Sequence, residues 1–109
     1  MSNLGVAPVV SHKLVHMTDI APHVDLEVVE ISKGNREEVE WKLPSTAHEA
    51  RLIKFANSPF KESQFVVPVG DSVFSGPAMP NAVIGKHYKY SVCRPNGTVL
   101  SDPEVVIIR

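Results

Sequence analysis

Apolar residues along this chain recur mostly at a period of two, and nowhere at a helical period over ten or more residues. From Pro8 to Met17, Val9, Val10, Leu14 and Val15 lie among His12, Lys13 and His16. That predicts an edge strand, with Pro8 just ahead of it where a missing N–H is tolerated. Leu26 to Ile31 predicts a second strand, and Ser32-Lys33-Gly34-Asn35-Arg36 a turn. The alternation is cleanest from Glu37 to Leu43. Val39, Trp41 and Leu43 fall on one face and Glu38, Glu40 and Lys42 on the other, so the strand is half-buried and Trp41 is its main anchor in the core.

Pro44 to Glu49 breaks the pattern, and one helical turn is an option within Ser45 to Glu49. Ala50 to Phe55, Ser63 to Val69 and Ser72 to Gly76 predict three more strands, separated by Asn57-Ser58-Pro59 and Gly70-Asp71. His87 to Cys93 alternates again, Arg94-Pro95-Asn96-Gly97 carries the Asn-Gly hairpin signal, and Val105 to Ile108 is a β-branched run. Two strands alone are marginal in water, so this hairpin must be covered by the rest of the chain. About seven short strands with turns between them predict one all-β sandwich.

Composition narrows the picture mainly by exclusion. At 109 residues the chain is long enough for a single core, and no second domain fits. Hydrophobic residues at 43% and charged residues at 21% argue against disorder. A net charge of -1 with interspersed signs offers no footprint for nucleic acid or an anionic membrane. No stretch is long enough to insert in a bilayer as a helix, and the first residues lack the pattern of a secretory signal, although a trimmed signal would leave the same appearance. Cys93 is the only cysteine, which rules out an intramolecular disulfide and a four-cysteine zinc site.

Laid out in order, the strands resemble the cupredoxin-like family, the Greek-key β-sandwich of plastocyanin and its relatives. The resemblance covers roughly residues 25 to 109 and rests on several features taken together. They are Val39-x-Trp41, Phe60 to Gly70 ending in Val67-Pro68-Val69-Gly70, Ser75-Gly76-Pro77, Gly85-x-x-Tyr88-x-Tyr90, and Asp102-Pro103-x-Val105-x-Ile107. Blue-copper members hold their metal with two His, one Cys and a weak axial Met, three of them in the loop after the Tyr-rich strand. Aligned by its tyrosines, this chain has Val92 at the thiolate position and Pro95 at the second His position. A shift by one brings in Cys93 but puts Asn96 in place of the His. No Met follows Tyr90. His48 is the one candidate for the family's upstream His. The resemblance therefore implies a copper-free relative with no cofactor, and the family's mostly extracytoplasmic setting is a further implication.

The remaining chemistry is sparse. Of His12, His16, His23, His48 and His87, the first two share a strand face but stand roughly 13 Å apart, too far to ligate one ion. Strand parity sends Tyr88, Tyr90 and Val92 one way and Cys93 the other, so Cys93 points away from the core unless a bulge re-aims it. Glu37, Glu38 and Glu40 form a solvated face, and no nucleophile elbow or phosphate loop is present, so an enzyme is not expected. The connection Pro77 to Gly85 is apolar and bounded by Pro and Gly, and the resemblance implies a place near the family's metal end. Met79, Val83 and Ile84 are its candidate contact residues for a protein partner or for self-association; the bland alternative is an apolar cap. The expected function is a non-catalytic binding or structural module. The competing one is a metal-binding or electron-transfer protein that uses His48 with other histidines.

Overall fold

A computed structural model describes residues 11–109 of the chain. The strands are β1 (His12–His16), β2 (Val28–Ser32), β3 (Glu38–Lys42), β4 (Arg51–Phe55), β5 (Gln64–Val67), β6 (Ser72–Phe74), β7 (His87–Cys93), β8 (Val99–Ser101) and β9 (Glu104–Ile108). They form two sheets, one ordered β1-β3-β6 and the other β2-β9-β7-β4-β5 with β8 alongside β7. The result is an all-β, sandwich-like fold. Pro8, Val9 and Val10 of the predicted first strand lie outside the described residues, and the rest of that prediction becomes β1.

The alternation read from the sequence is the alternation of burial. Val39, Trp41 and Leu43 are fully buried, as are Val15 from β1, Ile31 from β2, Ile53 from β4, Val67 from β5, Val92 from β7, and Val105 and Ile107 from β9. In the first sheet Val15 and Val73 flank Trp41, from parallel β1 and antiparallel β6. In the second, Phe55 lies opposite Tyr90, and Ile53 lies between Phe65 and Val92. The indole of Trp41 crosses the interior and meets the rings of Phe65 at 5.1 Å, Tyr90 at 5.6 Å, Phe55 at 6.3 Å and Phe60 at 6.5 Å between centroids. Its Nε1–H donates to the Tyr90 hydroxyl at 3.2 Å, which satisfies the one polar atom that burying a Trp strands.

Four expectations change. Among the described residues nine strands form instead of about seven; β6 is the predicted Ser72 to Gly76 strand, and the strand not foreseen is the three-residue β8, too short to carry a period. No helix occurs among the described residues, so none there is long and apolar enough to cross a membrane. Ser45 to Glu49 holds a turn with the Ala47 N–H donating to the Pro44 carbonyl, because the chain is crossing there from one sheet to the other. The crossing is tight: a Cβ on Gly70, whose φ is +76°, would lie 3.4 Å from the Cβ of Ser45.

Cys93 is buried, although parity points it outward. The pairing with β8 slips between Val92 and Cys93, and this bulge lets consecutive residues both bury. Cys93 remains outside the main core cluster, on the side that Leu52 and Val99 flank.

The fourth change concerns the Pro77 to Gly85 connection. β4 and β7 run antiparallel, with Leu52 opposite Cys93 and Phe55 opposite Tyr90. Arg51 and Arg94 therefore mark one end of the sandwich. The connection lies beyond Phe55 at the other end, where the Met79 N–H donates to the Pro59 carbonyl. It is not at the His48 end.

Truncating Trp41 removes the ring that both sheets share. Trp41→Ala should lower unfolding stability by about 3–5 kcal/mol in denaturant titration, a large share of what a small domain has. A loss below about 1 kcal/mol would mean the indole is not the shared anchor.

Candidate functional site

Two depressions deserve weighing, one at each end. At the first end a polar cavity of about 240 Å³ is lined by Asp19, His23, His48, Glu49, Arg51, Arg94 and Leu100. Asp19 and His23 come from the turn after β1, His48 and Glu49 from the crossing before β4, and Arg94 from the turn after β7. Arg51, the first residue of β4, is the pivot, with its side chain 5% exposed. Its Nη2 donates to Asp19 Oδ1 at 3.1 Å. Its Nη1 donates to the Ala50 carbonyl at 3.2 Å, the Glu49 carbonyl at 3.3 Å and Glu49 Oε2 at 3.4 Å. Its Nε has no hydrogen-bond partner among the described residues. Arg94 Nε donates to Glu49 Oε2 at 2.7 Å, and His48 Nδ1 lies 2.8 Å from Asp19 Oδ2.

This arrangement is a closed charge chain, His48 to Asp19 to Arg51 to Glu49 to Arg94. Two carboxylates neutralise two guanidinium groups, and the exposed imidazole sits at one edge. The hydrogen bond from Arg94 holds the Glu49 carboxyl below its ordinary 4.5. Burial works in the opposite direction, the charges of Arg94 and Arg51 reinforce the lowering, and Asp19 opposes it. Glu49 in turn holds the Arg94 guanidinium up.

The donor set does not fit a copper ion. The only imidazole from the expected position, His48, is tied to a carboxylate already bound to Arg51, and two guanidinium groups line the same cavity. Val92 and Cys93, the two residues that the resemblance could set at a thiolate position, are both buried. Among the described residues no three His, Cys, Asp or Glu side chains come together as a metal-binding group. Of the other histidines only His23 lines the same cavity as His48. His12 Nε2 lies 3.1 Å from Glu40 Oε1, His87 Nδ1 is hydrogen-bonded to Glu104, and His23, at φ 71°, faces the Thr18 carbonyl.

At the opposite end the Pro77 to Gly85 connection is pinned by its backbone. Lys33 Nζ donates to the carbonyls of Pro80 at 2.6 Å and Ala82 at 2.8 Å, Gly85 N–H to the Ile107 carbonyl at 2.6 Å, and Val83 N–H to the Tyr88 hydroxyl at 2.9 Å. Ala82 is buried and Ala78 packs on the core, so part of the loop does cap the sandwich. Met79, Val83 and Ile84 are 38%, 54% and 52% exposed. Beside the loop lies a larger cleft of about 440 Å³, whose floor and walls include Phe65, Phe74, Pro77, Ala78 and Met79.

Sequence reasoning singled out Met79, Val83, Ile84 and His48 but missed Asp19, Arg51 and Arg94. Their residue types resemble any surface charges, and only the crossing of three connections at one end brings them together. Ala50 to Phe55 carried one available signal, an Arg in phase with the buried positions Ile53 and Phe55. The chain matches no protein-family model and no curated protein.

The charge chain predicts a hierarchy. Asp19→Ala leaves a buried guanidinium with half its neutralisation and should cost about 3 kcal/mol. His48→Ala removes only an exposed partner and should cost less than about 1 kcal/mol. Equal costs in urea titration would contradict the assignment of Arg51 as pivot.

A pH dependence follows from Glu49. Its carboxyl binds fewer protons folded than unfolded, so its contribution is complete above its unfolded value and is lost as pH falls through its folded value. Glu49→Gln should therefore flatten the fall in stability between about pH 5 and about pH 3. An unchanged acid limb would show that the Arg94 contact does not persist in solution.

Proposed function

We propose that this chain is a copper-free, cupredoxin-like Greek-key sandwich that serves as a non-catalytic binding module and associates with a second copy of itself through the Pro77 to Gly85 connection. The strand plan supports the family reading. Successive strands change sheet at β1 to β2, β2 to β3, β3 to β4, β5 to β6 and β6 to β7, so the two sheets are wound through each other rather than stacked as two meanders. The end that holds His48 carries a charge chain whose carboxylates and guanidinium groups pair with one another, Arg51 Nε apart, which supports a structural rather than a redox task there.

The observation that carries the contact surface is the outward turn of Met79, Val83 and Ile84 on a loop whose backbone is already fixed. A pinned loop has little ordering entropy left to lose when it packs against another surface. Met adapts to an irregular partner, and exposed apolar clusters mark contact sites. A net charge of only -1 leaves little repulsion between copies.

Sedimentation velocity from micromolar to millimolar concentration tests this. The native chain should shift toward dimer or higher species, and the double change Met79→Ser with Ile84→Ser should abolish the shift while moving Tm little. A monomer at all concentrations, or a large loss of Tm in the double variant without any effect on association, would defeat the reading. The copper-free part has its own check. Equimolar Cu(II) should produce no intense charge-transfer band near about 600 nm, and such a band would restore the metal reading.

A further inference from the structure

We infer that the cleft beside the connection is a binding site for a small amphipathic carboxylate, a molecule with an apolar body and one anionic end. At about 440 Å³ it falls within the range of small-ligand pockets, and its surface is predominantly apolar. Phe65 and Met79 contribute to the apolar interior, and Phe74 stands 47% exposed with its ring edge-on to His12 at 5.5 Å. Gly76, at φ +75°, turns the chain along one wall, and a Cβ there would meet nothing within 4 Å. The wall is open where a ligand would lie.

The charged groups select the end of the ligand. Arg36 and Lys61 both line the cleft, and neither has an ion-pair partner among the described residues. Arg36 occupies the left-handed region at φ 56°, an uncommon conformation for a residue other than glycine, asparagine or aspartate. Lys33 adds a third cation just behind, on the carbonyls of Pro80 and Ala82. Against them stand Glu62 on the lining and Glu38 behind it. The Glu38 carboxylate is engaged by the Gly76 N–H at 3.0 Å. On the lining itself two cations, Arg36 and Lys61, face one carboxylate, Glu62, which leaves the cleft net positive on a chain that is net negative. The Ser75 hydroxyl is already committed to the Gly76 carbonyl and the Val39 N–H, so it does not compete for the ligand.

This site adjoins the self-association surface and shares Met79 with it, whereas Val83 and Ile84 do not line the cleft. The test uses decanoate below its micellar concentration, with decyltrimethylammonium as the cationic control, and follows binding by calorimetry and by amide shifts in the full chain. Decanoate should bind one-to-one, with the largest shifts at Gly76, Ala78 and Met79, and the cation should bind at least about tenfold more weakly. Arg36→Glu combined with Lys61→Glu should weaken decanoate about tenfold or more with the circular dichroism spectrum unchanged, and each single change should give a smaller loss. Absence of millimolar binding, equal binding of the cation, indifference to charge reversal, or shifts confined to the His48 end would each overturn the proposal. None of these outcomes bears on association through Ile84, which the sedimentation experiment reads separately.

Discussion

The contact on which the structure most depends is that between Trp41 and Tyr90. Trp41 belongs to the smaller sheet and Tyr90 to the larger. Their edge-to-face packing and the Nε1–H to hydroxyl hydrogen bond join the two across the interior. Burial keeps the Tyr90 phenol protonated far above its ordinary range, so the acceptor does not change character with pH. Phe55, Phe60 and Phe65 close around the pair, and two of them sit where β4 and β5 turn toward the apolar end. Phe65 is shared by this cluster and the cleft, so the same aromatic group that holds the sheets together also lines the cleft.

The two ends then differ in how far their interactions are completed within the chain. At one, three connections bring together two carboxylates and two guanidinium groups that pair with one another around a buried arginine. At the other, backbone carbonyls of the connection are held by Lys33 and its side chains turn outward, next to an apolar cleft with cations on its rim. The binding role proposed for the second end rests on its exposed apolar side chains and cleft. The first is nearly self-sufficient, apart from the Nε of Arg51.

Much of the architecture was legible in the alternation of single strands. Glu37 to Leu43 identified Trp41 and its face, and Asn96-Gly97 identified the turn after β7, where Gly97 takes φ 95°. These features are local, and local patterns survive folding. What escaped was either too short or nonlocal. β8 spans three residues, and the slip between Val92 and Cys93 follows from its pairing rather than from any residue in β7. The end occupied by the Pro77 to Gly85 connection depends on strand direction, which periodicity does not encode. At the candidate sites, Met79, Val83 and Ile84 were recognisable as an apolar run, whereas the partnership of Asp19, Arg51, Glu49 and Arg94 spans 76 positions, from 19 to 94 counted inclusively, and has no signature in sequence.

The account stands or falls on whether the Trp41 to Tyr90 link is part of the global fold. Hydrogen exchange at the Trp41 indole Nε1–H measures this directly, because that proton is buried and bonded. It should exchange only through complete unfolding, with a protection free energy equal to the global stability from denaturant titration, and Tyr90→Phe should lower both together. Exchange through a low-energy local opening, well below the global value, would show that the sheets are joined elsewhere and would contradict the account.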